Sequence, residues 1–74
     1  MSVWKADITN DPRQNYDLIV EIYDNDLHRG TISRSSSGDL KLTIHKTDEA
    51  IEIPARWLRE ILERAERDLS RRER

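Results

Sequence analysis

The chain has 74 residues, no cysteine, 13 Lys and Arg against 15 Asp and Glu, and a formal net charge of −2. This length allows one domain that buries roughly 60% of its unfolded surface, and without cysteine neither a disulfide nor a thiolate-bound metal supports the core. No apolar run approaches the ~20 residues that span a bilayer and residues 1–20 lack the basic-then-apolar pattern of a secretory signal, so a cytoplasmic protein with no membrane partner is expected.

Trp4, Ala6 and Ile8 alternate with polar residues over 3–9, which predicts a first strand ended by Asn10-Asp11-Pro12. Residues 16–24 combine β-branched and aromatic residues with period two, putting Leu18, Val20 and Ile22 on one face and Ile19, Glu21 and Tyr23 on the other. Asp24-Asn25-Asp26 is rich in residues that bond their own backbone in turns, so the chain reverses there. A strand around 28–35 follows, then a second reversal at Ser35-Ser36-Ser37-Gly38-Asp39, where glycine supplies a positive φ. Leu40, Leu42 and Ile44 alternate with Lys41, Thr43 and His45 as a half-buried strand requires, and Ile51 and Ile53 predict a short last strand. Pro54 suits a first helical position, and a helix over 54–70 gathers Trp57, Leu58, Ile61, Leu62, Ala65 and Leu69 into one stripe. The basic tail 71–74 frays beyond it.

These elements predict a single α+β domain, 1–74, in which a three- to four-stranded antiparallel β-meander within 3–53 packs against one long C-terminal amphipathic α-helix. The expected core takes Trp4, Ile8, Leu18, Val20, Ile22, Ile32, Leu40, Leu42, Ile44, Ile51 and Ile53 from the sheet region, with the helical stripe on top.

No residue set has the form of a catalytic centre. His28 and His45 stand near no cysteine and show no ligand spacing, so both read as polar residues on a sheet surface or strand end. Asp24-Asn25-Asp26 lacks the glycine and the bidentate acid that a calcium loop needs at its sixth and twelfth positions, which are Arg29 and Ser35. The serines have no glycine-flanked elbow, and two glycines, Gly30 and Gly38, do not make a phosphate loop. The chain is therefore expected to be a non-enzymatic module without a cofactor or metal.

Residues 29–47 carry Arg29, Arg34, Lys41 and Lys46 against the single Asp39, so the middle of the chain is locally basic. On the sheet face away from the helix this reading places Arg29, Thr31, Ser33, Lys41, Thr43 and His45, with Arg34 and Lys46 at the strand ends. Ile19 and Tyr23 are expected to stand exposed on the same face, an apolar pair that can mark a contact surface. Such a face has donors for phosphates, and Tyr23 and Tyr16 are its candidates for base stacking; Asp17 and Glu21 oppose that use.

The strand order followed by Ile51-Glu52-Ile53-Pro54-Ala55-Arg56-Trp57, a short strand passing through proline into an aromatic-containing helical turn, resembles the single-strand-binding transcriptional coactivators. The resemblance implies a curved antiparallel sheet that binds nucleic acid and a C-terminal helix that mediates dimerisation. The leading expectation from the residues themselves is a binding or regulatory module that contacts a protein partner as a homodimer; the alternative is a single-stranded nucleic-acid-binding domain. Ile19, Tyr23, Arg29, Arg34, Lys41, His45 and Lys46 are the candidate contacts.

Overall fold

A computed structural model describes residues 3–12, 17–35 and 37–69. Tyr16, Ser36 and the tail 71–74 lie outside them. The elements are β1 (Trp4–Asp11), β2 (Asp17–Asp24), β3 (Leu27–Arg34), β4 (Leu40–Ile44) and α1 (Ala55–Leu69). The strands form one antiparallel sheet in the order β1-β2-β3-β4, and the helix packs on β2 and β3. This is the expected α+β meander with one C-terminal helix.

Two local differences have simple causes. β1 runs through Asn10 and Asp11 instead of ending before them, because every residue from Trp4 to Asp11 pairs with a partner on β2; ladder pairing overrides the turn preference of Asn and Asp. No strand forms at 51–53. Residues 45–54 instead carry the chain irregularly from β4 to the helix, with Ile51 and Ile53 half-buried. The strand-to-proline junction on which the coactivator resemblance rests is thus an irregular connection. Pro54 sits one residue before the helix and its carbonyl accepts the Leu58 N–H at 2.9 Å, so it acts as the N-cap and not as the first helical residue.

The β2–β3 hairpin closes through Asn25 and Asp26, at φ 52° and 71°, between the paired residues Asp24 and Leu27. A two-residue turn with both central φ positive matches the right-handed twist of the strands. Asn25 also ties in β1: its N–H donates to the Val3 carbonyl and its Oδ1 accepts the Val3 N–H, both at 3.0 Å. Because aspartate tolerates positive φ less well than glycine, Asp26→Gly is expected to raise stability by up to about 1 kcal/mol, read by thermal unfolding. The substitution removes an ion pair to Lys5 at 3.3 Å, but both side chains are well exposed and such a pair contributes little. The second reversal uses Gly38 at φ 96°, as expected.

Val20, Ile22, Ile32, Ala65 and Leu69 form the buried centre, with Trp4, Ala6, Leu18, Leu40, Trp57, Ile61 and Leu62 packed around it. Trp57 near the start of α1 lies against Trp4 at the start of β1, with ring centroids 5.7 Å apart. Glu66 in its last turns lies 3.7 Å from Arg34 at the end of β3. The helix therefore crosses the sheet diagonally, from one corner toward the other. Two corners of the helix-facing surface are left open: Ile8 on β1 is 38% exposed, and Leu42 and Ile44 on β4 are 36% and 38% exposed. All three were expected in the core. One 15-residue helix on a four-stranded sheet cannot cover it all.

Candidate functional site

Alternation sends Trp4, Ala6, Ile8, Val20, Ile22, Ile32, Leu42 and Ile44 toward the helix, and Lys5, Asp7, Glu21, Tyr23, Thr31, Ser33, Lys41 and Thr43 toward the open face. The expected contact residues divide between these surfaces.

Ile19 is not exposed. It keeps only 4% of its surface, and Ser33 on the same face keeps 8%. Ile19 lies on β2, an interior strand with β1 and β3 on either side, and pairs with Thr9. The apolar pair expected on this face is therefore reduced to Tyr23.

Arg34 also leaves the expected surface. Two residues beyond Ile32 in β3, it points to the helix side, where Nη2 stands 3.7 Å from a Glu66 carboxylate oxygen and Nη1 donates to the Gly38 carbonyl. Its side chain is 18% exposed, so a ligand on the open face does not meet it.

Arg29 is displaced by a register shift between Ile22 and Tyr23: Ile22 pairs with Gly30 while Tyr23 pairs with His28, so Arg29 is the extra residue of a bulge. Its Nε stands 4.0 Å from Oδ2 of Asp24, the partner of the helix-facing Trp4. With Asp24 and the Glu49–Glu52 segment it lines a polar cleft at that end of the domain. Arg29 Nε and Asp24 Oδ1 are buried without a hydrogen-bond partner, so the two groups attract by charge across 4.0 Å and are not hydrogen-bonded there.

The bulge brings together what the sequence keeps apart. Tyr23 and His28 face each other with ring centroids 5.2 Å apart, and His28 meets His45 edge to face at 4.5 Å. Thr31 Oγ1 is 3.4 Å from His28 Nε2. The Tyr23 hydroxyl donates to Glu21 Oε1 at 2.9 Å; this bond, partial desolvation and the negative charges of Glu21 and Asp7 hold the phenol above its ordinary 10.0, so it stays a neutral donor. Of the expected contacts, Tyr23 and His45 join this cluster, Lys46 follows His45 on exposed chain, and Lys41 stands exposed opposite Ser33. Lys5 and Lys41 on this face are matched by Asp7 and Glu21, so the face is mixed in charge instead of basic.

His28 is the contact the sequence reading passed over. A two-residue turn at Asn25-Asp26 pairs 24 with 27 and therefore 23 with 28, so turn length alone carries the signal.

A second surface lies on the helix side. Leu40, Ala55, Leu58 and Leu62 line an open groove between β4 and α1, rimmed by Arg59, Glu63 and Glu66. The exposed side chains of Leu42 and Ile44 continue the apolar strip along β4, which is an edge strand.

Among the described residues no group of three or more His, Cys, Asp or Glu is arranged to hold a metal ion, and no helix is long and apolar enough to cross a membrane. Compared with protein-family models, with curated proteins and with solved structures, the chain has no match.

Proposed function

We propose that this chain is a non-enzymatic binding module that contacts a protein partner and works as a homodimer joined along β4 and the groove between β4 and α1. The observation that carries the reading is the apolar strip of Leu40, Leu42 and Ile44 with Leu58 and Leu62 beside it, left open by the diagonal helix. An edge strand offers unpaired backbone groups to another chain, and removing this strip from water contributes about 25 cal/mol per Å² of apolar surface. The rim holds Arg59 and Glu63 side by side, so a second copy related by a two-fold axis presents acid to base and base to acid.

Sedimentation equilibrium tests this. The protein is expected to be dimeric, and Leu42→Glu to dissociate it with little change in the monomer's circular dichroism, because Leu42 is already partly open to water. A wild-type chain that stays monomeric at high concentration removes the homodimer from the proposal.

A second reading, binding of single-stranded nucleic acid on the open face, is favoured by the ring cluster of Tyr23, His28 and His45. Exposed rings stack with bases of any sequence. The balanced charge of the face and the withdrawal of Arg29 and Arg34 place this reading second. It predicts salt-sensitive anisotropy with a mixed-sequence oligonucleotide that weakens in Lys41→Glu; affinity indifferent to both salt and Lys41 leaves the face to protein contacts.

A further inference from the structure

We propose that His28 and His45 form a two-imidazole site for a divalent transition-metal ion, Zn²⁺, Ni²⁺ or Cu²⁺, on the open face of the sheet. The inference is independent of the homodimer, whose surface lies on the other face.

The argument begins with spacing. The two rings belong to β3 and to the residue after β4, and their centroids are 4.5 Å apart. Two imidazoles bound side by side to one ion, each with a metal–nitrogen distance of ~2.0–2.1 Å, have ring centroids roughly 4.5–5 Å apart. In their present rotamers the rings already stand close to that separation. The His45 N–H donates to the Arg29 carbonyl at 2.8 Å, so β3 and the end of β4 are hydrogen-bonded directly beside the pair. What remains is rotation about side-chain bonds, from the present edge-to-face angle of 83° to one in which a nitrogen of each ring converges on the same point. Both histidines are exposed, so the ion arrives from solvent without opening the fold.

The surroundings are polar and mixed in charge. Thr31 Oγ1 lies 3.4 Å from His28 Nε2, so a hydroxyl stands beside one nitrogen of that ring. Glu21 and Asp7 on the same face offset the positive charge of Lys5 and Lys41 there. The donor set also selects the ion. Imidazole suits zinc, copper and nickel, whereas magnesium and calcium require oxygen ligands. With two protein donors, water completes the coordination shell and the ion exchanges readily. The bound ion ties the edge strand β4 to β3.

Isothermal titration of the full chain, free of any affinity tag, with ZnCl₂ and NiCl₂ tests the proposal, with MgCl₂ as control. One transition-metal ion per chain is expected, with no heat from Mg²⁺. His28→Ala and His45→Ala, each alone, are expected to weaken binding by about tenfold or more. Because both side chains are exposed, the variants are expected to keep the wild-type circular dichroism, and His28→Gln and His45→Gln repeat the test with side chains of similar reach. Absence of Zn²⁺ and Ni²⁺ binding overturns the site, and so does binding that survives unchanged in either alanine variant.

Discussion

Ile32→Ala is expected to lower the unfolding free energy by about 2–5 kcal/mol, as removal of a buried branched side chain does when the surroundings relax only in part. Ile32 is 0% exposed and lies on an interior strand between Val20 and Leu42, beneath α1. Small domains have about 5–15 kcal/mol in all, with short chains near the lower end, so the variant approaches the limit of folding. Leu42→Ala, its neighbour on β4, is the comparison. Leu42 is 36% exposed because the helix passes away from it, so at low protein concentration it is expected to cost less than half as much. Under the proposed homodimer, raising the concentration increases the cost of Leu42→Ala and leaves that of Ile32→Ala unchanged. Urea unfolding at two concentrations reads both effects. Equal losses at low concentration would mean that the helix covers β4 after all.

Gly30→Ala is expected to destabilise by about 1–3 kcal/mol, the usual cost of forcing an extra methyl group into a packed site. A Cβ built on Gly30 lies 2.6 Å from the Thr43 carbonyl oxygen and 3.1 Å from Cδ1 of Ile44, its partner across the β3–β4 ladder. A glycine-to-alanine change at a site that accepts it stabilises by about 0.4–1 kcal/mol through the unfolded chain. Here the obstacle is backbone, which cannot rotate aside, so the clash prevails. The damage is local to β4: its amides are expected to exchange hydrogen faster, and both the proposed dimer surface and the His28–His45 spacing move with it. Sedimentation and amide exchange on one sample separate this loss from a global one. A rise in stability would show that the space between Gly30 and Thr43 accepts a methyl group.

Much of the fold was legible because it is written in short-range patterns. The period-two runs at Leu18-Val20-Ile22 and Leu40-Leu42-Ile44, the turn chemistry of Asn25-Asp26 and Gly38, and the helical stripe from Trp57 to Leu69 each link residues only a few positions from the next one in the pattern. The failures have a different origin. Ile51 and Ile53 alternate as a strand does, yet they cross from β4 to the helix with no pairing partner, and alternation by itself cannot supply one. Ile8, Leu42 and Ile44 have the alternation of core residues, but their burial depends on where a helix comes to rest above them.

The candidate site was less legible than the fold. Charge along the chain pointed to Arg29 and Arg34 as surface contacts, while a single bulge residue turned Arg29 toward Asp24 and strand parity turned Arg34 toward Glu66. Ile19 was assigned to the correct face and the wrong environment, since it keeps only 4% of its surface there.

What the sequence by itself determined is the four strands and the helix that form, their succession along the chain and the two glycine- and Asx-based reversals, because hydrophobic period and turn preference act over a few residues. Only the tertiary structure decided that β4 carries an open apolar strip, that Arg29 and Arg34 leave the open face, and that His28 meets His45. The open strip depends on the angle at which the helix crosses the sheet, Arg34 on the face that β3 turns to the helix, and Arg29 and His28 on a one-residue shift in pairing, which reverses the side to which a chain points its groups.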